Sequence, residues 1–185
     1  MNVTPSEIPD VLIIEPRVFS DDRGSFSETF RVESFAGAGL PSSFVQDNVS
    51  VSRRGVVRGL HFQHPHGQHK LVHVVQGEVL DVAVDVRTGS PTRGRWVSTV
   101  LSDSNRRQLL IPAGFAHGFA VLSDRAVVVY KCSDYFRPES ERAIRWDDDE
   151  LAIDWPFADP ILSPKDRTAP CLRDLPPAHL PAFAV

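Results

Sequence analysis

Cysteine is scarce. Cys132 and Cys171 are the only two in 185 residues, too few for a disulfide framework, and neither has a second cysteine at metal-ligand spacing. They are read as reduced thiols of a cytosolic protein. Long apolar runs are missing as well. No stretch approaches the roughly 18 apolar residues that a membrane span requires. The segment "MNVTPSEIPDVLIIEP" has neither the basic start nor the apolar core of a secretory signal. Charge of one sign is also lacking: 20 Lys plus Arg against 24 Asp plus Glu leave a formal net charge of -4. That balance gives no reason to expect nucleic acid or an anionic membrane as partner. There is no internal repeat and no low-complexity linker. A chain of this length suits one domain that buries its own core, here residues 1-185, with a core over about 11-137 and a C-terminal extension over about 138-185.

Alternating apolar residues, interrupted at short intervals by Pro and Gly, are plentiful, and that pattern reads as strand. In "EVLDVAVDVR" Leu80, Val82, Val84 and Val86 point one way, and Asp81, Ala83 and Asp85 the other. Further expected strands are "VLIIEPRVF", "SFSETF", "NVSVSRRGVVRGLHF", "KLVHVVQ", "RWVSTVLS", "RQLLIPAG", "HGFAVLS" and "AVVVYKCSDYF". Turn signals such as Asp21-Asp22-Arg23-Gly24 and Thr88-Gly89-Ser90-Pro91 separate them. The spacing predicts an all-β antiparallel sandwich or barrel. Short helices are expected at 32-40 and around the acidic 147-153, and irregular, wrapping chain from about Trp155.

Five of the seven histidines fall in "RGLHFQHPHGQHKLVHVVQGE": His61, His64, His66, His69 and His73. His64-Pro65-His66, Lys70 and Gly77, followed by "IPAGFAHGF" with His117, resemble the metal-binding skeleton of the cupin jelly rolls. The acidic ligand of that skeleton is replaced by Lys70, whose ammonium would repel a cation in a confined site. Pro65 and Gly67 mark a loop, so His64, His66 and His69 are expected to be partly exposed loop residues without a catalytic role. His61 differs. If Leu60 and Phe62 share one face of a strand, His61 lies on the other, which in a barrel could be the lumen. Pattern alone leaves two readings: a general base or a hydrogen-bonded structural histidine.

The motifs "DDRGSFSETF", "FVQDNVSVSRRGVVRGLHFQ", "KLVHVVQGEVLDVAVDVRTGSPTRGRW", "IPAGFAHGFAVLS", "VVYKCSDYF", "AIRWDDDELAIDWP" and "LSPKD", in this order over nearly the whole chain, resemble the dTDP-4-dehydrorhamnose 3,5-epimerases. The resemblance implies a cupin-type jelly roll. It implies a homodimer with exchanged N-terminal strands, acting without metal or redox cofactor on a dTDP-4-keto-6-deoxyhexose.

Epimerising carbons 3 and 5 beside a 4-keto group requires a base, a stabiliser for the enolate and an acid on the opposite face. By resemblance His61 is the base and Asp166 its acidic partner. Lys70 stabilises the enolate, and Tyr130 returns a proton at carbon 5. From sequence alone Tyr130 reads first as a core residue with a satisfied hydroxyl. Arg58 should grip the diphosphate, with Gln46, Asn48, His117, Lys165 and Glu141 as further substrate contacts. Arg23, Phe26 and Glu28 would serve the neighbouring subunit's site near the nucleotide; otherwise they read as an edge-strand ion pair and a core Phe. Phe136 stands where the family usually has the second of two tyrosines. It corresponds to the aromatic that stacks on thymine, and loses only the hydroxyl. Alternatives are a mono-epimerase acting at carbon 3 or 5 alone, a metal-dependent cupin enzyme, and a non-catalytic sugar-binding cupin.

Overall fold

The computed structural model describes residues 1–183. The strands are β1 (Asn2–Pro5), β2 (Leu12–Glu15), β3 (Val18–Asp21), β4 (Gly24–Ser27), β5 (Gln46–Arg53), β6 (Val57–Gln63) and β7 (Lys70–Gln76). They continue with β8 (Glu78–Asp85), β9 (Trp96–Ser102), β10 (Gln108–Ile111), β11 (Phe115–Val121), β12 (Arg125–Cys132) and β13 (Glu141–Ala143). The helices are α1 (Val32–Gly37) and α2 (Pro164–Arg167), with short 3-10 turns besides.

A six-stranded sheet runs β1-β2-β10-β7-β12-β5 and a five-stranded sheet β13-β6-β11-β8-β9. All the pairings are antiparallel. The two sheets face each other as a cupin-type jelly roll. Between them lies an apolar core at one end, with Val72, Leu109, Ile111, Phe115, Phe119 and Val128. At the other end is a polar cavity.

Both rows of β8 are buried. Val79 and Ala83 belong to the core between the sheets. Leu80, Val82, Val84 and Val86 face outward, yet they are covered by Ile144, Leu151, Leu172, Leu175 and Leu180. The proline-rich C-terminal segment therefore wraps the outer face of the five-stranded sheet, which would otherwise expose a row of aliphatic side chains to water.

Several elements differ from the sequence expectation. "VLIIEPRVF" is broken at Pro16-Arg17 into β2 and β3, and "NVSVSRRGVVRGLHF" at 54-56 into β5 and β6. Residues 147-153 form one turn rather than a helix, with Ala152 N–H donating to the Asp148 carbonyl. The Asp148 carboxylate accepts from the N–H groups of Glu150, Leu151 and Leu172, and Ala152 takes a left-handed φ of 46°. A side chain that satisfies three backbone donors, followed by a left-handed residue, halts helix growth. The helix that does form nearby, α2, begins at Ser163, whose hydroxyl accepts from Asp166 N–H.

Candidate active site

The cavity is built from side chains of β5, β6, β7, β11 and β12. On β5, Gln46, Asn48, Ser50 and Ser52 point inward, while Val49 and Val51 are exposed outside. Tyr130 on β12 lies opposite Asn48 and Val72. Lys70 opens β7 opposite Cys132. On β6, Leu60 and Phe62 join the core under the C-terminal segment, and His61 turns into the lumen.

Strict alternation would send Arg58 and His61, three residues apart, to opposite faces. Both line the cavity because β6 carries a bulge: His117 of β11 pairs with His61, but Phe119 pairs with Arg58. Two glycines make this possible. A Cβ on Gly59 would lie 2.5 Å from Gly118 Cα, and one on Gly118 would lie 2.6 Å from the Arg58 carbonyl oxygen. Only residues without side chains permit that approach.

A space of about 540 Å³ is lined by Arg58, His61, Lys70, His117, Tyr130 and Asp166, among others. A second, of about 310 Å³, is lined by Gln46, Asn48, Gln63, Cys132, Phe136 and Glu141 among others. His61, Lys70 and Tyr130 line both, so the two chambers meet at these three side chains.

His61 Nε2 lies 2.6 Å from Asp166 Oδ1. Asp166 is buried on α2. Burial alone would push its carboxyl up. Hydrogen bonding and charge from His61, with hydrogen bonds from Ser163 and the Gly59 backbone, outweigh burial and hold it below the usual carboxylate value. The carboxylate is thus anionic beside the ring. Lys70 Nζ lies 3.4 Å from the His61 carbonyl oxygen. Burial pulls its pKa below that of an ordinary lysine, and the charges of Cys132, Asp81 and Glu141 offset part of the effect. Burial, then the Cys132 charge, pushes the Tyr130 phenol up, so it keeps its proton.

His117, buried on β11, places Nε2 3.0 Å from both carboxylate oxygens of Asp81. Its ring centroid is 6.5 Å from that of Tyr130. Arg58 Nε donates to Ser52 Oγ at 2.9 Å. Lys165, in the first chamber, forms an ion pair with Glu141, in the second. Phe136 is exposed at the rim, its N–H donating to Gln46 Oε1 at 2.9 Å.

Arg23, Phe26 and Glu28 stand apart from this cavity. Arg23 and Phe26 belong to the β3–β4 hairpin, which among the described residues pairs only with itself. Arg23 bonds Asp21, Glu28 bonds Arg31, and Phe26 is 69% exposed. The alternative reading of Phe26 as a core residue is thereby corrected: it stands exposed on the hairpin.

Sequence reasoning missed Asp81, Ser52 and Gln63. An acid centred in an apolar strand was the available signal for Asp81, since a buried carboxylate needs a partner. His64, His66 and His69 lie in the loop before β7 and line neither chamber.

A jelly roll whose lumen joins an imidazole–carboxylate pair to a lysine and a phenol defines a class of cupin-type proteins equipped for proton transfer. The family profile described as dTDP-4-dehydrorhamnose 3,5-epimerase matches residues 5–174. A dTDP-4-dehydrorhamnose 3,5-epimerase of Pseudomonas aeruginosa is 56% identical over 176 residues, 94% of this chain and 97% of the relative. The crystal structure of a dTDP-6-deoxy-D-glucose-3,5-epimerase from Legionella pneumophila, in complex with dTDP-4-keto-L-rhamnose, superposes with a TM-score of 0.97 at 49% identity. It covers 100% of this chain and 99% of that one. A dTDP-4-dehydrorhamnose 3-epimerase of Streptomyces niveus is 44% identical over 187 residues, covering 100% of this chain and 90% of the relative. The chain belongs to the dTDP-4-dehydrorhamnose 3,5-epimerase family.

Proposed function

We propose that the cavity epimerises dTDP-4-dehydro-6-deoxy-D-glucose at carbons 3 and 5, giving dTDP-4-dehydro-L-rhamnose through an enolate. The observation that carries this reading is the meeting of His61, Lys70 and Tyr130 where the two chambers join. With Nε2–H donated to Asp166, the neutral ring keeps Nδ1 as the proton acceptor. The Asp166 carboxylate fixes that tautomer and stabilises the imidazolium formed. As the C–H bond breaks, its electrons delocalise onto the 4-oxygen, where the Lys70 ammonium meets charge that develops only during the reaction. Tyr130, kept protonated by burial, donates to carbon 5 from the opposite face. Arg58 and Lys165 supply cations for the diphosphate, Gln46, Asn48, His117 and Glu141 supply polar contacts, and Phe136 supplies a face on which thymine stacks.

The active molecule is a homodimer. The self-paired β3–β4 hairpin, with Phe19 and Phe26 exposed, supports a partner's covering it. Arg23, Phe26 and Glu28 then complete the neighbour's nucleotide site. The two buried, unpaired thiols, Cys132 and Cys171, support a cytoplasmic setting.

A mono-epimerase is the second reading: a 3-epimerase of Streptomyces niveus is itself 44% identical across the whole chain. Proton NMR in heavy water separates the two. Loss of ring hydrogens at both carbons 3 and 5 supports double inversion, loss at one supports the mono-epimerase, and retention of both refutes the proposal.

A further inference from the structure

Phe136 is 49% exposed, so packing covers only about half of it, and the hydrogen bonds on its backbone bear on where it stands. Three successive backbone groups there are held by two carboxamides. The Tyr135 carbonyl accepts from Gln63 Nε2 at 3.2 Å, Phe136 N–H donates to Gln46 Oε1 at 2.9 Å, and Arg137 N–H donates to Gln63 Oε1 at 2.7 Å. Gln63 also donates to the His66 carbonyl at 2.9 Å. Both N–H groups and the oxygen of this amide, which is 5% exposed, are therefore committed to protein. Around it Gln68 donates to the Asp134 carbonyl at 2.8 Å, and His69 N–H to Ser133 Oγ at 2.8 Å.

We propose that Gln63 is the positioning residue for Phe136, fastening the aromatic's loop to the histidine-rich loop through one buried amide. It acts through Phe136 and so affects nucleotide binding rather than the chemical step. The histidine-rich segment thereby acquires a structural purpose: its backbone frames the rim of the site. The inference rests on the stacking role proposed for Phe136.

Gln63→Glu tests it. The carboxylate still accepts from Arg137 N–H but turns oxygen toward two carbonyls, leaving both unpaired. Binding of dTDP, measured by calorimetry, should weaken by about tenfold, and KM should rise with kcat unchanged. In a double-mutant cycle, adding Gln63→Glu to Phe136→Ala should cost nothing further. Wild-type dTDP binding by Gln63→Glu, losses that add in the double variant, or a fall in kcat equal to the rise in KM would each overturn the proposal. If Phe136→Ala itself binds dTDP normally, the stacking reading fails and takes this inference with it. Should Gln63→Glu not fold, Gln63→Met, which removes all three contacts at similar volume, enters the same comparisons.

Discussion

Burial acts on Lys70 and Tyr130 in opposite directions: it favours the protonated phenol that the proposed mechanism needs and works against the protonated ammonium. The phenol is pushed up and keeps the proton it must donate; the ammonium is pulled below the lysine value of 10.5. In the proposed mechanism the protonated lysine is the active form, and a lowered pKa means it loses its proton at lower pH than a free lysine. kcat should therefore fall with rising pH along a limb lying below 10.5, checked by a pH–rate profile. Lys70→Ala should lack that limb and turn over about 10²–10³-fold more slowly, with dTDP binding little changed. An unchanged rate would remove the enolate argument. Tyr130→Phe should depress inversion at carbon 5 by about 10²-fold or more while proton exchange at carbon 3 persists, both read by NMR. Lysine in place of an acid was legible from sequence, because charge sign alone decides whether a cation is welcome. The pairing of His117 with Asp81 was not, since it joins adjacent strands 36 positions apart and no local pattern records it.

At the scale of elements, the bulge in β6 decides what the cavity contains. Without it Arg58 would face away from His61. Gly118→Ala would put a methyl 2.6 Å from the Arg58 carbonyl oxygen, and backbone cannot yield as a flexible side chain does. It should cost about 1–3 kcal/mol of stability and lower kcat/KM sharply, measured by thermal melting and initial rates. Gly89→Ala meets nothing within 4 Å at a φ of 84°. It should cost only about 1–2 kcal/mol of backbone strain and leave the kinetics intact. A glycine inside an apolar strand was a visible sign of a bulge or close approach, but its consequence for Arg58 needed the partner strand. Most strands were legible from alternation. β1 and β13, of four and three residues, are too short to show a period. The outward row of β8 looked like any core-facing row, because the cover over it comes from residues 144–180.

For the molecule as a whole, an antiparallel sandwich or barrel was readable from strand number and turn spacing and the jelly roll from the family resemblance, whereas the strand order β1-β2-β10-β7-β12-β5 was readable from neither. Pairings between distant segments depend on which faces fit, and one sequence does not display that. The proposed homodimer makes a sharp prediction. Light scattering should give about twice the chain mass of 20.5 kDa. Mixing His61→Ala protomers with Arg23→Ala protomers should restore activity, because each mixed dimer then has one site with an intact His61 and the partner's intact Arg23. No restoration on subunit exchange would place Arg23 outside the neighbour's site.

The central claim is that the imidazole held by Asp166 removes the sugar's protons. Solvent-deuterium incorporation into dTDP-4-dehydro-6-deoxy-D-glucose, followed by proton NMR for wild type and His61→Ala side by side, tests it most directly. The account predicts that His61→Ala nearly abolishes incorporation at carbons 3 and 5; incorporation at a near-wild-type rate would contradict it.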